Sequence, residues 1–172
     1  MKVLFIALTA LAHPSIILGI GIVGAPNKTW GTEGLLGLRT NAFSGASLTY
    51  QLRYGNTSSA HQPLAGGLDI QHQDNSLGLE IAIASLTNNG LTPTLTLGGG
   101  AISRTTHATA DKIISNTDAL NVSHIIPFFS AQVGASLNFD PTFAIEPFLR
   151  SAKNFSDPGL LWSYGATAKV HL

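Results

Sequence analysis

The stretch FSGASLTYQLRYG, at residues 43–55, alternates apolar and polar side chains almost without interruption. A period of two predicts a β-strand with two different faces. The apolar face carries Ala46, Leu48, Tyr50, Leu52 and Tyr54, and the polar face carries Ser47, Thr49, Gln51 and Arg53. A soluble sheet buries its apolar face, whereas a membrane barrel turns that face to lipid. The orientation of this face therefore decides the class of protein.

Charged residues are scarce in this chain. They make up 10% of it, whereas about 25% is usual for a soluble domain. Nine basic residues balance nine acidic ones and form no basic tract, so we expect no nucleic-acid partner. The chain has no cysteine, which excludes disulfides, thiolate metal sites and cysteine nucleophiles.

The N-terminus has the features of a secretory signal peptide. Lys2 precedes the apolar run VLFIALTALA, which is the order of such a leader. Small residues suited to cleavage stand at Ala10-Leu11-Ala12 and at Val23-Gly24-Ala25. We predict a leader within residues 1–25, ending between 12 and 25, and a barrel domain over residues 26–172. In the alternative, residues 15–24 form a first strand with alternating faces.

Extended segments separated by turn residues follow residue 30, and no helical period is longer than two turns. Tight turns are predicted at 73–75, 88–90 and 140–141, where Asp, Asn, Gly and Pro residues concentrate. The eight predicted strands cover residues 31–40, 43–55, 62–72, 75–87, 91–104, 122–139, 142–153 and 160–172.

Eight charged residues within these predicted strands lie opposite their strand's main apolar series. In the fourth strand, for example, Glu80 opposes the series that contains Leu79 and Ile81. In a closed barrel such charges pair across a polar lumen, where small residues leave room for long side chains. The predicted lumen charge network comprises Glu33, Arg39, Arg53, Asp69, Glu80, Glu146, Arg150 and Lys169.

Aromatic residues stand near the strand ends. Tyr54, Phe139 and Phe143 fall on one side of the predicted barrel, and Trp162 and Tyr164 fall on the other. This placement is typical of aromatic girdles at two lipid interfaces. Most predicted strands also reach the 9–11 residues that cross a bilayer.

From residue 91 onward the chain resembles the small bacterial outer-membrane β-barrels. LTPTLTLGGG at 91–100 is similar to a rising strand, and SAQVGASLNFDPTFAIEPFLRSAKNF at 130–155 resembles a strand, periplasmic turn and strand. LWSYGATAKVHL at 161–172 resembles the closing strand, although Leu172 stands where an aromatic is usual. The resemblance implies an all-β, eight-stranded, antiparallel up-and-down transmembrane barrel in the bacterial outer membrane. It also implies contact with outer-membrane lipids and insertion by the outer-membrane assembly machinery.

Six histidines raise the question of chemistry, but none has the spacing of a zinc site. We therefore expect no metal and no cofactor. Some small barrels deacylate lipid A with a serine and a histidine, and Ser123-His124 is the candidate pair here, with Glu146 or Glu80 to orient the base. Adjacent strand residues point to opposite faces, and the His-x-Ser motif that those enzymes have late in the chain is absent here, since His124 is followed by two isoleucines and His171 by Leu172.

The sequence thus predicts a non-enzymatic, monomeric outer-membrane barrel with a lumen filled by polar side chains. Envelope structure, adhesion and surface-loop display all suit such a protein. Eight strands leave room only for side chains or one small ligand, which argues against a general pore. Two alternatives remain: a lipid A acyl hydrolase, and a soluble secreted barrel that binds a small hydrophobic ligand.

Overall fold

The computed structural model describes residues 14–26, 29–43, 45–59, 62–64, 68–85, 90–110, 120–155 and 159–172. The elements in these ranges are nine strands: β1 (Ser15–Ala25), β2 (Thr29–Phe43), β3 (Ala46–Ser58), β4 (Gln62–Leu64), β5 (Leu68–Ser85), β6 (Leu91–Ala110), β7 (Leu120–Asn138), β8 (Phe143–Asn154) and β9 (Leu161–His171). None of the described residues belongs to a helix that is long and apolar enough to span a membrane.

The strands form one antiparallel sheet that closes on itself. Strand β1 pairs with both β2 and β9, and β3 pairs with β5 to complete the ring. Eight strands surround the lumen, while the short β4 pairs only with the end of β5. The predicted fold class, an eight-stranded antiparallel up-and-down barrel, is confirmed.

The segment Ser15–Ala25 forms a barrel strand, whereas the prediction placed it at the end of a leader. Its isoleucines Ile20 and Ile22 face outward, and Gly19 lies on the luminal side, as the alternative interpretation of this segment requires. The barrel therefore begins at Ser15 rather than residue 26, and cleavage near residue 25 would remove a strand. Residues 1–13, including Ala10-Leu11-Ala12, lie outside the described residues.

A second correction concerns β5. The sequence predicts two strands, at 62–72 and 75–87, with a turn at 73–75 between them, but these three residues continue β5. They pair with Asn56–Ser58 on one side and Ser103–Thr105 on the other. Ladder partners on both sides outweigh the local turn preference of Asp and Asn. The prediction omitted β1 and divided β5 into two strands, so its total of eight barrel strands is still right.

With β1 in place, the direction of each strand shows which connections lie at which end of the barrel. Strands β2, β5 and β7 end, and β3, β6 and β8 begin, at the same end as Leu172, whose N–H donates to the carbonyl of Ile16 at 2.8 Å. Of the turn predicted at 88–90, only Gly90 is among the described residues. The strand ends with the most residues between them, Ser58 with Leu68 and Ala110 with Leu120, are at the other end. Barrels of this type have short periplasmic turns and longer external loops, so we call these ends the periplasmic end and the outer end.

The strands are staggered around the ring. A row of paired residues that leaves Ile20 through β2 reaches β7 at Pro127, whereas the row that leaves through β9 reaches β7 at Leu137. Closing the ring thus shifts the register by ten residues, from 127 to 137. A stagger of this kind tilts the strands by roughly 35–45° to the barrel axis.

Three strands are longer than all the others and far exceed the roughly 9–11 residues of a bilayer crossing. Strands β5, β6 and β7 have 18, 20 and 19 residues. The pairing of β5 with β3 stops at Gln73, and the pairing of β7 with β8 stops at Phe128. We call the part beyond these points the outer extension: β4 with residues 68–72, 106–110 and 120–127.

Candidate functional site in the barrel lumen

The lumen holds a continuous set of hydrogen-bonded polar side chains, which we call the luminal network. All of them lie on the inward face of their strands, and all except Arg150 are buried. The set consists of Glu33 from β2, Gln51 and Arg53 from β3, Glu80 from β5, Gln132 from β7, Glu146 and Arg150 from β8, and Thr167 and Lys169 from β9.

Glu33 joins two walls of the barrel. Its Oε1 accepts hydrogen bonds from Arg53 Nη1 and from Thr167 Oγ1, the latter at 2.9 Å. Its Oε2 accepts from Arg150 Nη2 at 2.9 Å. Three strands separate β3 from β8 in either direction around the ring. The bridge from Arg53 through Glu33 to Arg150 therefore crosses the full diameter.

Glu80 anchors one end of the network. Its Oε2 accepts from Arg53 Nε at 2.8 Å and from Gln51 Nε2 at 2.6 Å. Arg53 therefore divides its donors between Glu80 and Glu33, and its side chain is 6% exposed. Because an unpaired charge in such a place costs several kcal/mol, the two carboxylates are what allow Arg53 to lie in the lumen.

Glu146 anchors the other end. It accepts from Lys169 Nζ at 2.7 Å and from Gln132 Nε2 at 3.2 Å. Gln132 Oε1 in turn accepts from Arg150 Nε at 3.0 Å and Nη2 at 2.8 Å. An amide, which both donates and accepts, thus links the two ionic halves.

Six of the eight predicted luminal charges meet in this network, and they balance. Glu33, Glu80 and Glu146 oppose Arg53, Arg150 and Lys169. The aromatic ring of Phe148 lies beneath both guanidinium groups, 5.9 Å from that of Arg53 and 4.7 Å from that of Arg150. Cation–π contact adds to the ionic pairing of the two arginines.

Arg39 and Asp69 do not join the network. Arg39 is half-buried on the luminal face of β2 nearer the periplasmic end, and no ion pair within the described ranges connects it to the other charges. Asp69 lies in the outer extension and has the same parity along β5 as the outward Leu77 and Leu79. If a turn interrupted the chain at 73–75, the face on which Asp69 lies would not follow from that of Leu77. One unbroken strand fixes the relation between the two.

Three neutral members, Gln51, Gln132 and Thr167, are missing from the predicted set. The sequence contains a signal for them, since each occupies the luminal parity of its strand. Gln51 stands two residues before Arg53, and Thr167 stands two residues before Lys169. A prediction based on charge alone omits the amides and hydroxyls that complete hydrogen bonds between charges.

The aromatic residues lie at both ends of the barrel, with one reversal. Phe139 and Phe143 contact each other at the periplasmic end, with ring centroids 5.8 Å apart. Trp162 and Tyr164 lie at the outer end and are about half exposed. Tyr54 belongs with them, not with Phe139 and Phe143, because the additional strand β1 reverses the direction assigned to β3.

Trp30 is an outer aromatic that the sequence prediction omits. The residue is 56% exposed, and its ring meets that of Tyr164 edge to face with centroids 6.0 Å apart. The predicted strand begins one residue later, at 31, which places Trp30 outside the sheet. The strand β2 in fact begins at Thr29.

Above the luminal network lies a cavity of about 410 Å³ that we call the outer cavity. Its floor consists of Glu33, Arg53, Glu80 and Arg150. Its wall includes the ion pair of Arg104 with Asp74, in which Nε and Nη2 of the arginine donate to the two carboxylate oxygens at 2.9 and 2.8 Å. Apolar side chains complete the wall and rim: Val23, Ile102, Phe128, Leu160 and Leu161.

The residues of the enzyme alternative are not brought together. Ser123 and His124 are exposed in the outer extension, where Ser123 Oγ lies 3.3 Å from Thr105 Oγ1. Glu80 and Glu146 are held by cations and amides deep in the lumen. No group of three or more His, Asp or Glu side chains suited to a metal occurs among the residues that the structure describes.

The orientation of the two faces excludes the soluble alternative. The outward Leu79 is 71% exposed and Trp162 is 49% exposed, whereas Arg53 and Glu80 are each 5% exposed and Lys169 is 8% exposed. A water-soluble barrel with a ligand in an apolar lumen would have the reverse arrangement. Leucines and isoleucines on the outside of a closed barrel are instead suited to hydrocarbon.

Solved structures share this fold. A major outer membrane protein from Thermus thermophilus superposes with a TM-score of 0.71 at 13% identity, over 93% of this chain and 100% of that one. The chain has the fold of a small bacterial outer-membrane β-barrel. Ail, the attachment invasion locus protein of Yersinia pestis, matches with a TM-score of 0.57 at 12% identity, over 92% and 97% of the two chains.

An enzyme also has this fold. The outer membrane enzyme PagL matches with a TM-score of 0.50 at 17% identity, over 90% of this chain and 98% of that one. No protein-family model matches the chain, and no curated protein does either. Since one fold hosts several activities, the function of this barrel has to be argued from its own side chains.

Proposed function

We propose that this protein is a non-enzymatic outer-membrane barrel whose lumen is closed to ions and whose strands anchor a surface-exposed sheet and loops. The luminal network is the observation that carries the proposal. It crosses the diameter of the barrel, and its positive and negative charges are equal in number. A barrel of eight strands has no room beside such a network for a general diffusion pore.

An ion that crosses the lumen has to separate paired charges. Glu33 and Glu80 side chains are 1% and 3% exposed, and both hold guanidinium groups. Opening these contacts leaves buried charges without partners, which costs about 3–5 kcal/mol for each broken pair. The network therefore favours a structural role for the lumen over transport.

The outer extension supports surface display, including adhesion, as the role of the barrel. Strands of 18 to 20 residues exceed the roughly 9–11 that a membrane crossing uses, and the excess lies at the outer end. Ail, which shares the fold, is named as an attachment protein. As partners we propose outer-membrane lipids and the outer-membrane assembly machinery, with the barrel itself a monomer.

Conductance in a planar lipid bilayer tests the closed lumen. We expect the folded full chain to insert without a stable open level, under conditions where a general porin conducts. A persistent open level at neutral pH would contradict the proposal.

Incubation with lipid A followed by mass spectrometry tests the absence of deacylation. We expect the acyl chains to remain intact. Release of an acyl chain that disappears in Ser123→Ala would establish the enzyme alternative instead.

A further inference from the structure

We propose that the outer cavity is a binding site for a small apolar monocarboxylate. The proposal concerns the space above the luminal network and does not depend on whether the lumen conducts ions. It rests on the shape of the cavity, on its division into a polar floor and an apolar wall, and on the hydrogen-bond donors that the floor leaves unused.

The cavity has the volume of a small-molecule site. About 410 Å³ falls within the usual range of roughly 300–1,000 Å³ for ligand pockets. Glycines keep it open, since a Cβ added at Gly78 would lie 3.2 Å from Phe128 Cζ and one added at Gly55 would lie 2.7 Å from Ser76 Oγ. All four of these residues line the cavity.

The lining separates by polarity along the barrel axis. Ionic side chains of the luminal network form the floor, and apolar residues such as Phe128, Ile102 and Leu161 form much of the wall and rim. A ligand that matches this division has a polar head directed toward the network and an apolar body against the wall. Ligand sites commonly combine mostly apolar walls with a few fixed polar groups in this way.

The floor offers more donors than acceptors. Arg53 uses Nε and Nη1 in its bonds to Glu80 and Glu33, and Arg150 uses Nε and Nη2 in its bonds to Gln132 and Glu33. Arg53 Nη2 and Arg150 Nη1 have no partner among the described residues, and neither is among the side-chain atoms sealed from solvent without one. The corresponding free carboxylate oxygen of the floor is Glu80 Oε1.

The floor thus has two guanidinium groups with free N–H donors and one carboxylate with a free oxygen. This arrangement favours a ligand with an anionic head. Hydrogen bonds from guanidinium to carboxylate are about twice as strong as neutral ones, and the planar donors of arginine fit the two oxygens of a carboxylate. An ammonium head would face these two cations. A neutral amide would find donors but lose the charge assistance.

Titration with 4-tert-butylbenzoate tests the proposal, because this probe joins one carboxylate to a compact apolar body. The full chain is folded in zwitterionic detergent, and the backbone amides of Gly55 and Gly78 are followed by NMR. We expect saturable shifts at these glycines. The neutral 4-tert-butylbenzamide and the cationic 4-tert-butylbenzylamine serve as isosteric comparisons, and each is expected to bind at least tenfold more weakly.

Three variants locate the binding. Ser76→Leu fills the cavity from its wall and is expected to weaken benzoate binding at least tenfold. Thr32→Leu places the same side chain on the exposed outer face of β2 and is expected to leave binding unchanged. Arg150→Gln is expected to remove the preference for the carboxylate over the amide while the benzamide still binds.

The outcomes separate clearly. Saturable shifts at Gly55 and Gly78 that are lost in Ser76→Leu and kept in Thr32→Leu support the proposal. Equal binding of the benzoate, the amide and the amine overturns the choice of ligand. The absence of saturable shifts at these two glycines, or binding that Ser76→Leu leaves unchanged, overturns the site itself.

Discussion

Glu33 shows how a single buried carboxylate can organise a barrel interior. Its side chain is 1% exposed, and its two oxygens accept from two arginines and a threonine on different strands. A surface ion pair contributes little to stability because water already solvates both partners. Glu33 differs because it is buried, and its loss leaves three luminal cations with two carboxylates. Arg53 keeps Glu80, whereas Arg150 loses its carboxylate partner.

The substitution Glu33→Gln is expected to lower the free energy of unfolding by about 3–5 kcal/mol, the usual cost of removing one partner of a buried pair. Urea unfolding from lipid vesicles, followed by tryptophan fluorescence, measures the change. Asp74→Asn is the matched control, since its pair with Arg104 is 21–25% exposed, and about 1 kcal/mol is expected there. Equal effects of the two substitutions would show that the burial of Glu33 does not increase its contribution to the free energy of unfolding.

Asp140, in the periplasmic turn, gives a prediction on pH. A hydrogen bond from the Thr142 hydroxyl, followed by one from the Thr142 N–H, lowers the pKa of the Asp140 carboxyl below its ordinary value. A depressed folded-state pKa means that the carboxylate stabilises the fold above the unfolded pKa of about 4. That contribution is lost as the pH falls through the folded pKa.

We therefore expect Asp140→Asn to lower the urea midpoint at pH 6, with the difference from the unsubstituted chain shrinking below about pH 4. Midpoints measured across this range test the expectation. A difference in urea midpoint that stays constant with pH would mean that the charge of Asp140 does not stabilise the turn.

At the scale of the strand, β1 and β5 show that pairing with neighbouring strands can outweigh local sequence preference. An apolar run with glycines at 15–25 resembles the end of a leader, and an Asp-Asn pair at 74–75 resembles a turn. Both segments are strands because a neighbour pairs with them on each side. A closed barrel cannot lose one strand without exposing two edges.

A chain that begins at Ser15 is therefore expected to fold, whereas a chain that begins at Pro26 is expected to lose the closed barrel. Far-ultraviolet circular dichroism and protease resistance after refolding into detergent measure the difference. A protease-resistant barrel from the shorter chain would contradict the role of β1.

Strand β7 permits a test of where the lipid belt lies. Val133 and Ile125 are both outward and 55% and 79% exposed. At about 3.3 Å per residue and a tilt near 40°, Ile125 lies roughly 30 Å above Leu137, beyond an apolar band of about 25 Å. Val133→Lys is thus expected to destabilise the barrel by about 2–4 kcal/mol and Ile125→Lys by about 0–1 kcal/mol.

Folding titrations into vesicles of one lipid composition compare the two lysine variants on the same strand. A larger penalty at Ile125 than at Val133 would place the belt on the outer extension instead. The unsubstituted chain provides the reference for both.

At the scale of the whole molecule, the reversal of inside and outside is what distinguishes this barrel from a soluble one. Its apolar side chains surround the sheet, and its ionic side chains meet at the axis. The closed ring satisfies the backbone groups of the membrane-spanning strands by pairing, as the bilayer demands. We therefore expect the folded ring to resist dodecyl sulfate until it is heated.

Gel mobility in dodecyl sulfate tests this property. We expect the unheated protein to migrate at a different position from the boiled protein, and the boiled protein to migrate as an unfolded chain of 18.0 kDa. A single position with and without heating, together with solubility in the absence of detergent, would contradict the membrane barrel.

The period of two, the scarcity of charge and the opposition of charged to apolar faces were sufficient to predict the barrel class and six members of the luminal network. These features are local, because alternation assigns each side chain to a face without knowledge of its neighbours. The placement of Asp69 and Tyr54 and the beginning of the barrel at Ser15 depended instead on strand continuity and count, which non-local pairing decides. The diametric bridge through Glu33 and the space above it depended on closure with a ten-residue stagger. Only that closure brings residues more than a hundred positions apart within hydrogen-bond distance.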